Sequence, residues 1–163
     1  MQADAVNFRD ITPRDIPALF HLRPLTRENA LTVEDLRSLG ITPDSVAAGL
    51  AATTRGWLCE VQDDGVVGFC MADRSSGELQ VIALLPAYEG QGIGGQLLAR
   101  AETWLAESGC TRAWLTTALD PSLRAYGFYR HRGWTDWKLE RGMRWMQLAL
   151  NGPVTRPPFE RAT

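Results

Sequence analysis

The sequence predicts a mixed α/β domain in which a mostly antiparallel sheet is flanked by helices. Three short apolar runs between residues 56 and 85 are separated by tight turn sequences, a pattern typical of an antiparallel meander. An amphipathic pattern from Ile93 to Leu105 then predicts a long helix. A strand pattern from Arg112 to Leu119 follows, and a helix between two strands can return the chain parallel to the first of them.

The first third of the chain is predicted to be one strand followed by helices. Val6 to Ile11 has a strand pattern. Thr12-Pro13-Arg14-Asp15 is typical of a helix start, with an N-cap threonine, a proline at the first helical position and an acid in the first turn. A polar bend is expected from Leu25 to Ala30, before two further helix starts at Thr32 and Thr42.

Glycine and proline mark the ends of the meander strands. Asp63-Asp64-Gly65 and Ser75-Ser76-Gly77 are turn sequences, and Pro86 stops the last strand. The predicted strands are Gly56 to Val61, Val66 to Met71 and Glu78 to Leu85.

Beyond Leu119 the chain is predicted to continue with a short helix and a hairpin. Asp120-Pro121 is expected to open the helix, which runs to about His131. Trp134 to Glu140 and Met143 to Leu150 are expected to pair around a turn at Arg141-Gly142. Residues 151–163 contain three prolines and are expected to form an irregular tail after a single domain over residues 1–150.

Composition argues against several classes of protein. A length of 163 residues suits one domain with one core, and a formal net charge of -2 gives no support to a nucleic-acid-binding protein. No apolar run approaches the roughly 18 residues of a membrane span, and the polar N-terminus lacks a signal-peptide pattern. The three cysteines show no metal-ligand spacing. We therefore expect a cytoplasmic protein with reduced thiols, no metal site and no membrane or nucleic-acid partner.

The glycine-rich stretch from Glu89 to Gly95 joins a strand to a helix. Backbone N–H groups in a first helical turn have no intrahelical partner, glycine lets a ligand approach them closely, and the helix dipole adds positive charge. This arrangement predicts a cradle for a phosphate or pyrophosphate. The stretch also satisfies the G-x-G-x-x-G dinucleotide fingerprint. That fingerprint belongs to the first strand of a parallel sheet, whereas the strand before Glu89 closes an antiparallel meander.

Two segments resemble the GNAT superfamily of N-acyltransferases. Glu89-Gly90-Gln91-Gly92-Ile93-Gly94 is similar to the family's phosphate motif Q/R-x-x-G-x-G/A, with Glu89 in place of the usual Gln or Arg. The segment from Ala125 to Trp134 is similar to the family's A-x-x-F-Y-x-x-x-G-F/W, with Ser122 where Asn is common. The order of predicted elements also fits, so the resemblance covers roughly residues 5–150.

The resemblance implies a GNAT-like sheet that splays open between the strand ending at Leu85 and the strand ending at Leu119. The cofactor would be acetyl-CoA, with its pantetheine arm in the gap and bonded to the backbone of Ile82 and Leu84. The remaining cofactor-binding residues implied are Gly90, Gln91, Gly92, Ile93, Gly94, Gly95 and Ser122.

The resemblance also implies direct transfer, in which a neutral amine attacks the thioester carbonyl and a thiolate leaves. Tyr129 matches the family's general acid, and a phenol with a pKa near 10 is protonated at neutral pH. A backbone N–H near Leu84 would meet the oxyanion. Glu60 and Glu78 on the meander strands are candidate bases, with a relayed water or no dedicated base as alternatives.

Four polar residues near the predicted bend are candidates for acceptor binding: Arg23, Arg27, Glu28 and Asn29. The arginines would suit a carboxylate on the acceptor, such as that of an amino acid. Tryptophans on the terminal strands are expected to serve the core or a homodimer face, and the oligomeric state is left open.

The predicted function is N-acetyl transfer from acetyl-CoA to a primary amine on a small molecule or peptide. One alternative is a non-catalytic acyl-CoA-binding sensor or interaction module, although a sensor would have no need for an acid such as Tyr129. A nicotinamide-dependent oxidoreductase is a third hypothesis, which depends on the dinucleotide fingerprint alone.

Overall fold

Seven strands form one sheet in the order β1-β2-β3-β4-β5-β7-β6 in the computed structural model, which describes residues 6–150. The strands are β1 (Val6–Asp10), β2 (Thr54–Val61), β3 (Gly65–Asp73), β4 (Glu78–Leu84), β5 (Arg112–Thr117), β6 (Thr135–Glu140) and β7 (Met143–Ala149). The helices are α1 (Ile16–Leu22), α2 (Val33–Ser38), α3 (Pro43–Ala51), α4 (Ile93–Glu107) and α5 (Arg124–His131). Every neighbouring pair of strands is antiparallel except β4 and β5, which are parallel. The predicted fold class is confirmed.

Capping threonines start the helices of the first third. Thr12 and Asp15 form a capping box at a 3-10 turn that leads into α1. The Thr32 hydroxyl accepts from the Asp35 N–H ahead of α2, and the Thr42 hydroxyl accepts from the Ser45 N–H ahead of α3. Each cap satisfies a backbone donor that the helix itself leaves unpaired.

Helices cover both faces of the sheet. On one face, Leu19 and Leu22 of α1 pack with Phe69 and Ala83 of the meander. On the other face, α4 buries a stripe of apolar side chains that share one side of the helix. This stripe consists of Ile93, Leu97, Leu98, Ala101 and Leu105. α5 joins that core through Tyr129, so α4 and α5 lie on the same side of the sheet.

The structure differs from the sequence prediction at the start of α5. The helix begins at Arg124, and not at Asp120-Pro121. The Asp120 carboxylate accepts from the Ser122 N–H at 2.9 Å and from the Ser122 hydroxyl at 2.7 Å. This side chain–backbone turn holds residues 120–122 outside the helix.

The terminal hairpin is confirmed, with a turn at Arg141 (φ 56°) and Gly142 (φ 74°). Two successive residues with positive φ are typical of a type I′ turn, which suits the twist of paired strands. The tail predicted over residues 151–163 lies outside the described residues.

Candidate active site

β4 and β5 separate soon after they meet. Their one register pair is Glu78 with Trp114, supported by the Trp114 N–H donating to the Gly77 carbonyl at 3.0 Å. Further along the two described strands no residues pair, so the sheet opens toward their carboxyl ends. We call this opening the split. The register of β3 against β4 shifts at Gln80, which forms a bulge in β4. This bulge lies just after Glu78, where β4 separates from β5.

The edge of β4 that faces the split carries backbone groups that no described strand pairs with. The Leu85 N–H donates to the Val67 carbonyl on β3 at 2.9 Å. Because backbone groups alternate along a strand, those of Ile82 and Leu84 point the other way, into the split. The Asn29 amide donates to the Ile82 carbonyl at 3.3 Å, which agrees with this direction. An extended ligand in the split could bond to both residues as an added strand.

The glycine stretch ends in an open helix N-terminus. Gly90 and Gly92 have φ of 78° and 84°, which favours glycine, and Gly92 is the N-cap of α4. As a glycine, Gly92 has no side chain to cap this end, and the Gln96 N–H donates to the Gly92 carbonyl at 3.1 Å in the first turn of the helix. A Cβ built on either glycine would meet no atom within 4 Å. The stretch therefore fits a pyrophosphate, since the N–H groups of Ile93, Gly94 and Gly95 have no partner within residues 6–150 and space lies over the backbone.

Gly94 and Gly95 have a different surrounding, because they face α5. A Cβ on Gly94 would lie 3.5 Å from the Phe128 ring, an ordinary contact. A Cβ on Gly95 would lie 2.7 Å from Nη1 of Arg132, which is too close unless the arginine moves. These two glycines let α5 approach the first turn of α4.

Glu89, the departure from the family motif, is neutralised by two arginines. Its carboxylate accepts from Arg27 Nε at 3.0 Å and lies 3.7 Å from Arg124 Nε. The Glu89 side chain is only 17% exposed. The negative charge of Glu89 is therefore offset by two guanidinium groups at the start of the cradle, and its repulsion of a bound phosphate is reduced. Arg124 had no signal in the sequence, because its partner Glu89 is 35 positions away.

Residues 26–31, which we call the mouth loop, lie across the split. Asn29 holds the Ile82 carbonyl on β4, and the Glu28 carboxylate accepts from the Arg124 N–H of α5 at 3.1 Å. Arg27 contacts Glu89 at the cradle. The predicted acceptor residues are thus brought together, and three of them connect the two sides of the split.

Arg23 supports the mouth loop from behind. It donates to the Asn29 carbonyl at 2.7 Å, and burial lowers its pKa below the ordinary value. Within the described part of the chain it makes no ion pair with a carboxylate. A half-buried guanidinium without an acidic partner can still pair with an anion.

Tyr129 lies in the core beside the split. It is 6% exposed, and its ring packs against Phe128 and Trp134 at centroid distances of 5.3 and 5.9 Å. Burial raises its pKa, and Cys70, the cross-strand neighbour of Ile82, adds to the rise. Between residues 6 and 150, no group hydrogen-bonds to its hydroxyl. The phenol therefore stays protonated and keeps its proton available.

The two candidate bases are not brought to the split. Glu60 on β2 binds Arg9 at 3.0 Å and Asn7 at 3.1 Å, and hydrogen bonds from these two residues lower its pKa. Glu78 lies where β4 and β5 still pair, at the closed end. Burial, with Asp73 adding to it, raises the pKa of Glu78. Ser122 lies in the turn before α5, with its hydroxyl bonded to Asp120.

Comparison with known proteins identifies the family. The model of the acetyltransferase (GNAT) family matches residues 19–134, which is more than half of the chain. The chain belongs to the GNAT acetyltransferase family. The predicted acetyl-CoA-dependent transferase is thereby confirmed, and a nicotinamide-binding parallel sheet is not what the strands form.

Solved GNAT structures share the fold over most of their length. The PaiA N-acetyltransferase of Thermoplasma acidophilum, solved in complex with coenzyme A, is 16% identical, with a TM-score of 0.75 over 89% of this chain and 99% of that one. A GNAT-family acetyltransferase of Staphylococcus aureus Mu50 is 17% identical, with a TM-score of 0.73 over 90% and 100%. The ribosomal-protein-S18-alanine N-acetyltransferase of Escherichia coli is 16% identical, with a TM-score of 0.70 over 94% and 99%.

Among residues 6–150, no helix combines the length and the apolar character that crossing a membrane requires.

Proposed function

We propose that this GNAT protein transfers the acetyl group of acetyl-CoA to a primary amine on an acceptor that carries a carboxylate. The observation that carries the proposal is the split, with the free edge of β4 on one side and the buried phenol of Tyr129 beside it. Two of the three structural neighbours described above are named N-acetyltransferases, which supports nitrogen as the accepting atom.

The residues of the split have separate tasks in this proposal. When bound, acetyl-CoA supplies an activated thioester carbonyl. Ile82 and Leu84 offer backbone groups that hold an extended arm along β4, and the Leu84 N–H is a donor for charge that develops on the carbonyl oxygen. The first turn of α4, from Gly92 onward, binds the pyrophosphate.

Tyr129 is the proposed general acid. A leaving thiolate needs a proton, and burial keeps the Tyr129 phenol protonated. Neither Glu60 nor Glu78 reaches the split, so no side chain acts as base and the amine loses its proton to water.

Arg23 is the proposed anchor for the acceptor carboxylate. It pairs with no carboxylate among residues 6–150 and supports the mouth loop, whereas Arg27 already binds Glu89. A charge-assisted hydrogen bond typically contributes about 1.5–3 kcal/mol, which corresponds to roughly 10- to 150-fold in KM.

The test is a thiol-release assay with acetyl-CoA and pairs of amines that differ only in a carboxylate, such as amino acids and their amides. We expect turnover, with higher kcat/KM for the carboxylate member of each pair. Release of no thiol above hydrolysis with any amine would contradict the transferase proposal, and equal rates within every pair would contradict the carboxylate alone.

Arg23→Ala is expected to raise the acceptor KM about 10-fold or more for the carboxylate member of a pair, because it loses a charge-assisted bond. The KM for the matching amide should change little. Arg37→Ala, which removes an exposed arginine of α2 paired with Glu34, is the charge-matched control. Equal losses for acid and amide would show that Arg23 only supports the mouth loop.

A cytoplasmic location remains part of the proposal. Cys59, Cys70 and Cys110 are free thiols, and burial raises the pKa of Cys59 to about 11. Unreactive reduced cysteines are typical of proteins from reducing compartments.

A further inference from the structure

Arg132 lies against the first turn of α4. It follows α5 directly, and a Cβ built on Gly95 would be 2.7 Å from its Nη1 and 3.4 Å from its Cζ. Gly95 belongs to the turn of α4 that begins at Gly92, so the guanidinium lies beside that turn. This is the turn to which the pyrophosphate is assigned.

The guanidinium has no partner of its own in the described chain. Arg132 makes no ion pair within 4 Å there, and its Nε is buried without a hydrogen bond. The acid that feels its charge is Glu102, whose carboxylate accepts from the Trp134 indole N–H at 2.8 Å. Burial of a guanidinium nitrogen without a hydrogen-bond partner is unfavourable, and an anion at this position would relieve that cost.

A cation at the N-terminus of a helix opposes the helix dipole. Stabilising charges at this end are negative, and the N-cap Gly92 supplies no capping side chain. The free protein therefore holds two sources of positive potential side by side, the first turn of α4 and the Arg132 guanidinium. An anion between them would satisfy both, and a phosphate matches the fork of guanidinium donors.

The family resemblance does not assign this residue. Arg132 occupies the third unspecified position between Tyr129 and Gly133 in the A-x-x-F-Y-x-x-x-G-F/W segment. The contact with Gly95 is equally outside the phosphate motif, which ends at Gly94.

We propose that Arg132 binds a phosphate group of coenzyme A together with the first turn of α4, and that Gly95 is glycine so that the guanidinium can reach this position. The inference rests on the proposed placement of the pyrophosphate at the glycine stretch. The phosphate is either part of the pyrophosphate or the 3′-phosphate of the ribose, and binding experiments distinguish the two.

The test is calorimetric titration of coenzyme A and of dephospho-coenzyme A into the purified chain and its variants. Arg132→Gln is expected to weaken coenzyme A binding roughly 10- to 150-fold, the equivalent of a lost charge-assisted bond of about 1.5–3 kcal/mol. Arg132→Lys should keep the charge but not the fork, and should recover part of the affinity. Arg130→Gln, an equal charge change at an exposed position of α5, is the control and should leave Kd within about twofold.

Gly95→Ala tests the position of the Arg132 guanidinium without changing the charge of the chain. The methyl group would displace the guanidinium, so we expect a weaker Kd for coenzyme A with the thermal unfolding transition retained. Gly127→Ala, which adds the same methyl group within α5 where it would meet no atom within 4 Å, is the control and should leave the Kd for coenzyme A unchanged.

Comparison of coenzyme A with dephospho-coenzyme A, which lacks the 3′-phosphate, shows which phosphate Arg132 binds. Loss of affinity for both would place Arg132 on the pyrophosphate, and loss for coenzyme A alone would place it on the 3′-phosphate. Unchanged Kd for both ligands in folded Arg132→Gln would overturn the inference while leaving the proposed function intact. Failure of the unmodified chain to bind coenzyme A would overturn the proposed function and the inference together.

Discussion

Tyr129→Phe is expected to lower kcat by about 10²- to 10⁴-fold, the range typical of general acid catalysis, with little change in the Kd of coenzyme A. The substitution removes one hydroxyl from a ring that stays packed between Phe128 and Trp134. Because no described group bonds to that hydroxyl, its loss leaves no partner unsatisfied and should cost little stability.

The matched control is Tyr126→Phe on the same helix. Its hydroxyl donates to Asp136 at 3.0 Å, and we expect near-normal kcat after its removal. The comparison is made by steady-state thiol release, with calorimetry for cofactor binding. If Tyr129→Phe kept kcat within about twofold of the unmodified protein, Tyr129 would be a packing residue and another proton donor would have to be found.

The pH dependence gives an independent check on the same residue. Burial raises the pKa of Tyr129 above its ordinary value near 10, so the acid form persists across the neutral and moderately alkaline range. The unmodified enzyme should therefore show no fall in kcat from loss of this proton below about pH 10.

Gly92→Ala is expected to weaken coenzyme A binding about tenfold or more. Gly92 has a φ of 84°, a region that costs other residues about 1–2 kcal/mol. The added methyl group would extend into the open space over the helix N-terminus, where a phosphate would approach. If the loop instead relaxed to a negative φ, the N–H groups of the first turn would lose their common direction, with the same loss of affinity.

Gly109→Ala is the control, because it matches Gly92→Ala in strain but not in location. Gly109 has a φ of 96°, follows the C-terminal end of α4 and also has no atom within 4 Å of a built Cβ. Both variants should lose similar stability in urea unfolding, and only Gly92→Ala should lose affinity in calorimetry. Equal Kd values for the two variants would contradict the assignment of the pyrophosphate to this turn.

The sheet and the glycine cradle could be predicted from the sequence because their signals are local. Apolar runs between turn residues fix the meander, and a glycine stretch between a strand and a helix predicts an open helix N-terminus. The late start of α5 was missed because Asp120 resembles an N-cap, and its bonds to Ser122 make a separate turn instead.

The charges around the site could not be predicted, since they depend on contacts between distant parts of the chain. Glu89 alone suggests repulsion of a phosphate, and only the fold shows Arg27 and Arg124 beside it. Likewise, the patterns place Glu60 and Glu78 on strands but do not say which end of the sheet opens. The position of Arg132 could not be predicted either, because it lies against Gly95, which belongs to a different helix.

Because of the split, the backbone N–H groups of β4 alternate between those bonded to β3 and those that face the opening. In β4 the N–H groups of Val81 and Ala83 point toward β3, as that of Leu85 does, whereas those of Ile82 and Leu84 face the split. Hydrogen–deuterium exchange of the free protein should therefore alternate along the strand, fast at Ile82 and Leu84 and slow at their neighbours. Coenzyme A should slow the two fast amides selectively, so these positions can report cofactor binding before any acceptor is known.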